Sequence, residues 1–340
     1  MGPTAKPLAL TLGDPAGIGP DVTLLAFAAR NREAIPPFVL IGDETVLAER
    51  AETLGLSIPI AKIAAPADAA QIFPDALPVL PIAVSGSVEA GQPSLEAMDA
   101  VKRSIETAVG LVQEGQARAV VTNPVSKSHL YRAGFAFPGH TEYLASLASG
   151  EAAPLLPVMM LVAGPFKVVP TTIHIPLKDV VRTLTRDLLA ETIKITDRDL
   201  RRFFGYDRPR LAVSGLNPHA GEQGSLGREE VEIIEPVIAE AQAQGLDVSG
   251  PYPADTLFHE AARQRYDAAI CMYHDQALVP FKTLAFEEGV NVTLGLPFVR
   301  TSPAHGTAFD IAGTGKPNPR SLIEALRLAF AMSETAADEA

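Results

Sequence analysis

The chain has no tryptophan, one cysteine and no excess of positive charge. Each shortage removes a class of protein. A single thiol, Cys271, excludes an intrachain disulfide. Its setting, Ala268-Ala269-Ile270-Cys271-Met272, reads as a buried strand in which the thiol is a small core residue. The 28 Lys and Arg stand against 40 Asp and Glu, a net charge of −12. No basic run or aromatic–basic interleaving offsets it, so nucleic acid is not an expected partner. No apolar run approaches the ~20 residues that a membrane helix needs. Lys6 is followed only by a short apolar stretch, unlike a leader, so a cytoplasmic enzyme without a membrane partner is expected. An acidic protein that binds an anion must gather its few cations locally, which gives weight to Lys and Arg near candidate sites.

What is present is ordinary globular composition, 47% hydrophobic and 20% charged, over 340 residues. That length predicts two domains. Short apolar runs at Leu8–Leu12, Phe38–Ile41, Ala119–Thr122, Val158–Val162, Leu211–Ser214, Ala268–Met272 and Val290–Leu294 read as strands. They are too unbroken for half-exposed strands, so a sheet covered on both faces is expected. The clearest helix is Ser94–Glu114. Leu95, Met98, Val101, Ile105, Val109 and Val112 share one face, Ser94 is placed to cap it and Gly115 to end it. Gly227–Ala243 and Pro319–Met332 also read as helices. Alternation of the two kinds of element predicts α/β layers. Ile60–Val84, rich in Ala and Pro, reads as an irregular excursion, and Glu334–Ala340 as a fraying tail.

Three histidines follow strand-like runs: His174 in Thr171-Thr172-Ile173-His174-Ile175-Pro176, His219 in Asn217-Pro218-His219-Ala220-Gly221-Glu222, and His274 in Met272-Tyr273-His274-Asp275-Gln276. Open α/β sheets bind ligands at such strand ends, and three imidazoles suit a divalent metal. Widely spaced histidines are a weaker signal than a local HExxH. His129 and His259, in expected helices, and His305, in a glycine loop, rank below the trio. Asp255 and Asp275 are candidate partners that would orient the imidazoles. Gly13-Asp14-Pro15-Ala16-Gly17-Ile18-Gly19-Pro20 follows the first strand but is neither a GxxxxGK[ST] loop nor a GxGxxG fingerprint, so a tight turn and a binding loop remain equal readings. Gly139-His140-Thr141 puts an imidazole beside a hydroxyl at a helix start. Lys282, Asn291 and Arg300 could grip a phosphate. The long stretch Thr301–Gly315 is unusual for a loop without a task.

Taken together, Gly13–Pro20, Gly139–Thr141, Ile173–Leu177, Gly215–Glu222, Met272–Gln276 and Gly295–Gly315 resemble the PdxA family of 4-hydroxythreonine-4-phosphate dehydrogenases, from about residue 7 to about residue 333. The resemblance implies two α/β/α domains like those of isocitrate and isopropylmalate dehydrogenases, with an inter-domain cleft. It implies a terminal-containing domain of residues 1–135 plus 297–340 that carries part of the NAD site, and a central domain of 136–296 with the metal ligands and dimer interface. It also implies a homodimer with a shared site: His174, His219 and His274 as metal ligands, one from one subunit and two from the other. His140, Thr141, Lys282, Asn291 and Arg300 would bind substrate, with Lys282 and His140 the candidate catalytic groups. His305, Gly306, Thr307, Ala308, Asp310 and Gly313 would bind NAD or NADP. The metal would be zinc, magnesium or cobalt.

The implied reaction is NAD-dependent oxidation of 4-phosphooxy-L-threonine to 2-amino-3-oxo-4-(phosphooxy)butanoate. That β-keto acid decarboxylates to 3-amino-2-oxopropyl phosphate, in pyridoxal phosphate biosynthesis. Three alternatives stand beside it: a sister dehydrogenase of 4-phospho-D-threonate or D-erythronate 4-phosphate, a metal-dependent phosphate-ester hydrolase, and a non-catalytic metal or phosphosugar binder. A hydrolase would release phosphate without NAD.

Overall fold

A computed structural model describes residues 6–134, 137, 139–149 and 154–338. The chain divides into two compact units, one of residues 1–157 and 296–334, the other of 158–295 and 335–340. Twelve strands occur in chain order: β1 (Leu8–Thr11), β2 (Phe38–Gly42), β3 (Ile60–Lys62), β4 (Leu77–Pro81), β5 (Val120–Val121), β6 (Val158–Ala163), β7 (Phe166–Pro170), β8 (Arg210–Ser214), β9 (Asp247–Tyr252), β10 (Ala268–Cys271), β11 (Val290–Leu294) and β12 (Arg300–Pro303).

The first unit holds a parallel sheet in the order β3-β4-β2-β1-β5-β12. Its inner strands are buried along their whole length, as unbroken apolar runs covered on both faces must be. The helix Met98–Gln113 packs its Met98, Val101, Ile105 and Val109 into the core beneath it. Ser104 on that helix is fully buried, and its hydroxyl donates to Ile41 O (2.6 Å) and accepts from Leu12 N (2.9 Å). One hydroxyl thus bridges the ends of β1 and β2, satisfying both its donor and an acceptor site. The helix starts later than expected. Ser94 bonds only the Glu96 N–H (3.2 Å) in a preceding turn, and Leu95 is exposed. Gly115 ends it with φ of +69°, the left-handed turn that glycine adopts without cost.

The helix His140–Ser149 belongs with this unit, because Tyr143, Leu144 and Ala145 lie in its core. The segment Ile60–Val84 is not an excursion. It contains the short strands β3 and β4 and the helical turn Ala69–Ile72. Pro78 and Pro81 do not interrupt β4, since a proline fails only where its missing N–H is needed.

The second unit has the order β11-β6-β7-β10-β8-β9. β6 pairs antiparallel with β11 and β7, and the remaining pairs are parallel. The 19-residue helix Arg186–Phe204 was not among those read from sequence. Thr185 caps it through Leu188 N (3.2 Å), and Gly205 closes it at φ 68°. The stretch expected as one helix from Gly227 begins as a wide turn, Glu230–Ile234, and continues as Glu235–Ala243. The last helix runs Arg320–Asp338, so the tail is helical rather than frayed through Asp338; 339–340 lie outside the described residues. Among the described residues no helix is long and apolar enough to cross a membrane.

Cys271 ends β10 with no exposure, and burial pushes its thiol above the ordinary range. A thiol must ionise to react. The native protein is therefore expected to resist a disulfide reagent that labels one thiol per chain once guanidinium unfolds it; rapid labelling of the native form would contradict this burial.

Candidate active site

In the first unit the turns that leave β1, β5 and β12 lie against one another. Gly13 (φ +71°) sits where a Cβ would fall 2.6 Å from the Asn123 Cβ, and Gly17 where one would fall 2.9 Å from Thr307 O. Only glycine allows these approaches. Ile18 N donates to Thr307 O (3.0 Å), joining the Gly13–Pro20 turn to the loop after β12. A buried ion pair fixes the junction: Arg50 donates to Asp21, and also to Pro15 O (3.1 Å) and Gly17 O (3.0 Å). The other Asp21 oxygen accepts Gly313 N–H (2.7 Å). The Gly13–Pro20 segment is therefore a fitted turn locked to the Thr301–Gly315 loop.

Of the residues expected to hold a nucleotide, His305 turns its Nδ1 toward Gly306 O (3.1 Å), Thr307 meets the Gly13–Pro20 turn and Ala308 has φ of 40°. Asp310 is exposed in the turn Phe309–Ile311. Asp14 was passed over in the sequence. It is fully buried, with Oδ1 accepting Ala16 N–H (3.2 Å). Burial holds its carboxyl above the ordinary carboxylate range, against the opposing pull of that N–H and of His129. His129 is held within the first unit. Its Nδ1 lies 2.6 Å from Ser126 Oγ and its ring meets Phe309 edge-on.

Arg300 begins β12 and is buried, with its guanidinium donating to Thr122 Oγ1 (2.7 Å). Burial pushes it down to about 10, which leaves it a cation at neutral pH that an anion at this position would stabilise. Thr141 is half-buried in the helix His140–Ser149. The His140 side chain lies outside the described residues.

The second unit carries all three histidines of the trio. His174 and His274 come together, with ring centroids 5.6 Å apart and tilted by 44°. They line a cavity of about 230 Å³ with Thr172, Ile173, Leu177 and Tyr273. His274 opens the helix His274–Ala285, and Asp275 Oδ1 lies 2.7 Å from its Nδ1. This carboxylate turns Nε2 outward, the arrangement found behind metal-binding imidazoles. His174 itself has φ of 42°. Its turn is tied down by Thr172 Oγ1, which donates to Met272 O (2.7 Å).

His219 does not line that cavity, and among the described residues no group of three His, Cys, Asp or Glu is placed to hold a metal. His219 stands in an unusual segment. His219, Ala220, Gly221, Glu222 and Gln223 have successive φ of 54, 51, 75, 43 and 55°. A left-handed turn costs roughly 1–2 kcal/mol for each residue with a Cβ. The fully buried Glu230 offsets that cost. Its Oε1 accepts Leu216 N and Asn217 N (both 2.8 Å), and its Oε2 accepts Asn217 Nδ2 (2.9 Å). The Asn217 amide and nearby backbone N–H groups hold the neighbouring Glu229 carboxyl below its usual range. Gln276 completes the frame, accepting Met272 N–H and donating to Gly215 O (2.7 Å each).

Lys282 is half-buried on the His274 helix, with Nζ 5.6 Å from the exposed Phe286 ring centroid. Asn291 lies on β11, and its Oδ1 is buried without a hydrogen-bond partner among the described residues. Asp255 is exposed in the helical turn Ala254–Leu257 and, among the described residues, bonds none of the histidines. Sequence reasoning missed Glu230, Gln276, Asp21 and Arg50. The only advance signal for the His219 turn was the close spacing of Gly215, Gly221, Gly224 and Gly227.

Comparison with known proteins identifies relatives over nearly the whole chain. The family described as "Pyridoxal phosphate biosynthetic protein PdxA" matches residues 33–329. A protein of Bradyrhizobium diazoefficiens named 4-hydroxythreonine-4-phosphate dehydrogenase is 55% identical over 337 residues, covering 97% of each chain. One of the same name from Methylorubrum extorquens is 55% identical, covering 98% of this chain and 96% of its own. Among solved structures, the enzyme so named from Klebsiella pneumoniae is 38% identical, with a TM-score of 0.85 over 97% of this chain and all of that one. A terephthalate 1,2-cis-dihydrodiol dehydrogenase from Burkholderia xenovorans is also similar, at 27% identity and a TM-score of 0.62, over 96% of this chain and 98% of its own.

Removing the Glu230 carboxylate leaves two backbone N–H groups of the His219 turn without their acceptor. Glu230→Ala is expected to cost roughly 2–4 kcal/mol of stability in urea unfolding. It should also speed amide exchange at Leu216 and Asn217. Unchanged exchange there would show that the turn does not depend on this carboxylate.

Proposed function

Because this chain belongs to the PdxA family of pyridoxal phosphate biosynthetic proteins, we propose that it performs the family's oxidation with NAD and a divalent metal, in a homodimer whose metal site is shared. The chain is an oxidoreductase of the kind its relatives are named for. The substrate is 4-phosphooxy-L-threonine, oxidised at C3 to 2-amino-3-oxo-4-(phosphooxy)butanoate. The hydride leaves C3, the hydroxyl proton is released, and the resulting β-keto acid loses CO₂ to give 3-amino-2-oxopropyl phosphate. The observation that carries the reaction is identity of 55% along 97% of the chain.

The nicotinamide ring supplies the hydride acceptor. The loop His305–Gly313, with its Gly306, Thr307, Ala308 and Asp310, is the segment assigned to hold the cofactor, NAD or NADP. Its backbone is fixed in advance by Asp21 and the Gly13–Pro20 turn. Such pre-organisation lowers the entropy lost on binding.

The donor set at His174 and His274 fits a divalent metal, since two imidazoles line one cavity and Asp275 orients one of them. Zinc, magnesium and cobalt are the candidate ions, and imidazole donors favour zinc. When bound, such an ion supplies Lewis acidity to the C3 hydroxyl. A second copy of the chain completes the trio, with one imidazole from one subunit and two from the other. Exposed apolar side chains support that second copy: Leu177, which lines the cavity, at 68% exposure, and Val279 and Phe286, on the His274 helix and at its end, at 62% and 73%. Surfaces of this kind mark contact sites.

Arg300, with His140 and Thr141 in the first unit, and Lys282 with Asn291 in the second, are the proposed substrate contacts. The buried Asn291 Oδ1 is an acceptor that a ligand donor would satisfy. Lys282 and His140 are the candidate groups to take the hydroxyl proton. Asp275 is assigned to orient His274. Asp255, expected to do the same for another histidine, keeps that role only if the assembled dimer brings one to it. A cytoplasmic location is part of the same reading.

A substrate panel followed by NADH absorbance tests the reaction. Turnover with 4-phosphooxy-L-threonine is expected to exceed that with 4-phospho-D-threonate and D-erythronate 4-phosphate. Phosphate release without NADH would make the chain a hydrolase instead.

Shared metal sites make a second, separate prediction. His174→Ala and His219→Ala proteins are each expected to lose activity and metal. In a mixed dimer one site receives both substitutions and the other neither, so statistical mixing should restore roughly a quarter of wild-type activity. No recovery, in mixtures shown to exchange subunits, would place His174 and His219 of one site within one chain.

A further inference from the structure

A second cavity lies in the second unit, and no residue assigned to metal, substrate or cofactor is among those that line it. It measures about 210 Å³ and is formed between β8, β9 and the short helical turns Ala254–Leu257 and Glu260–Arg263. Ala212 from β8, buried Leu257 and the buried ring of Tyr266 give it an apolar floor, and Ser249 and Thr256 add hydroxyls to the wall. The Tyr266 hydroxyl is already committed to Leu257 O (3.1 Å). Its mouth is different. Arg265, His259 and Tyr252 line it, all exposed.

The arginines around this cavity divide sharply. Arg210 forks onto Asp267 (2.8 and 3.2 Å). Arg208 faces Asp247 at 3.4 Å. Arg263 donates to Phe258 O (3.1 Å) and lies over the Phe166 ring. Among the described residues, the Arg265 guanidinium has no hydrogen-bond or ion-pair partner, nor has the His259 imidazole. No carboxylate is among the described residues that line the cavity. In a chain of net charge −12, a cation left without a counter-charge over an apolar floor is the unusual element.

We propose that this cavity is a binding site for a small phosphomonoester with a planar apolar body. Arg265, His259 and Tyr252 supply donors of three kinds to the phosphate oxygens, more than a carboxylate could use, and Leu257, Tyr266 and Ala212 cover the ring. The site is distinct from the proposed active site, since none of the latter's residues lines it. The wall turn Ala254–Leu257 and β9 nevertheless lead to the His219 segment, where Gly215 N donates to Tyr252 O (2.8 Å).

Phenyl phosphate is the probe, titrated by calorimetry into wild type, Arg265→Ala, Arg265→Lys and Lys282→Ala, with phenol as the body without the anion. Arg265 is exposed, so its variants are expected to fold, which thermal unfolding would check. Binding by wild type and Lys282→Ala is expected, with a loss of at least about tenfold in Arg265→Ala and a smaller loss in Arg265→Lys. In spectra of arginine side chains the Arg265 Nε–H should shift with the same dissociation constant. Equal binding by wild type and Arg265→Ala would overturn the site, as would loss only in Lys282→Ala, equal binding of phenol, or no binding by wild type. The result is separable from the proposed function. A chain that binds phenyl phosphate here but reduces no NAD would sink that function and leave this site standing.

Discussion

The Glu230 carboxylate is the constraint on which the second unit's chemistry rests. It is fully buried, and it accepts two backbone N–H groups and a side-chain amide from the residues just before His219. Charge-assisted bonds of this kind are about twice as strong as neutral ones. They are needed because five successive residues hold positive φ, a conformation that L residues avoid. Without a buried acceptor the segment would relax toward ordinary geometry and His219 would lose its direction. The first unit uses the same device. Asp21, buried with Arg50, accepts Gly313 N–H and fastens two glycine-bearing turns together.

How much of this was legible in the chain depends on the range of the forces involved. All seven apolar runs read as strands are strands, because local hydrophobic patterning decides that level. The strands missed were of two kinds. β3, β4 and β9 carry Pro or lie at a sheet edge, so their pattern is weak. β7 and β12 contain Lys167 and Arg300, charged residues that nonetheless lie buried in the sheet. Lys167 is accommodated by the Tyr206 hydroxyl (2.9 Å) and the Phe204 ring, partners brought in from distant sequence. Ser94 failed as a cap for a different reason. Any serine before a helical pattern is a fair candidate, but the chain makes one more turn before Met98.

The site shows the same division. His174 and His274 stood at strand ends in the sequence and stand together in the structure. Asp275 was legible as an orienting group because it is adjacent to its imidazole. Asp255 was read the same way, yet it is exposed and, among the described residues, away from the histidines. Nothing in Arg228-Glu229-Glu230 distinguished the one buried glutamate from its neighbours, since burial is set by where the wide turn points it. The Gly13–Pro20 turn was ambiguous for a related reason. What it meets, Asn123 and Thr307, is known only once β5 and β12 lie beside β1.

The placement of β12 has a consequence for how the protein is made. Arg300 and Thr301 pair with Val120 and Val121, and Thr301 Oγ1 donates to Ala325 O (2.8 Å) in the final helix. The sheet opened by β1 is therefore finished only by β12, after the whole continuous stretch of the second unit. Domains usually fold in the order of synthesis. Here the second unit, continuous from Val158 to Gly295 apart from its terminal residues, leaves the ribosome whole while the first still shows an open edge at β5. An unpaired parallel edge of buried, apolar residues invites association with other chains. A nascent chain stalled before Arg300 would thus carry one nearly completed unit and one adhesive one.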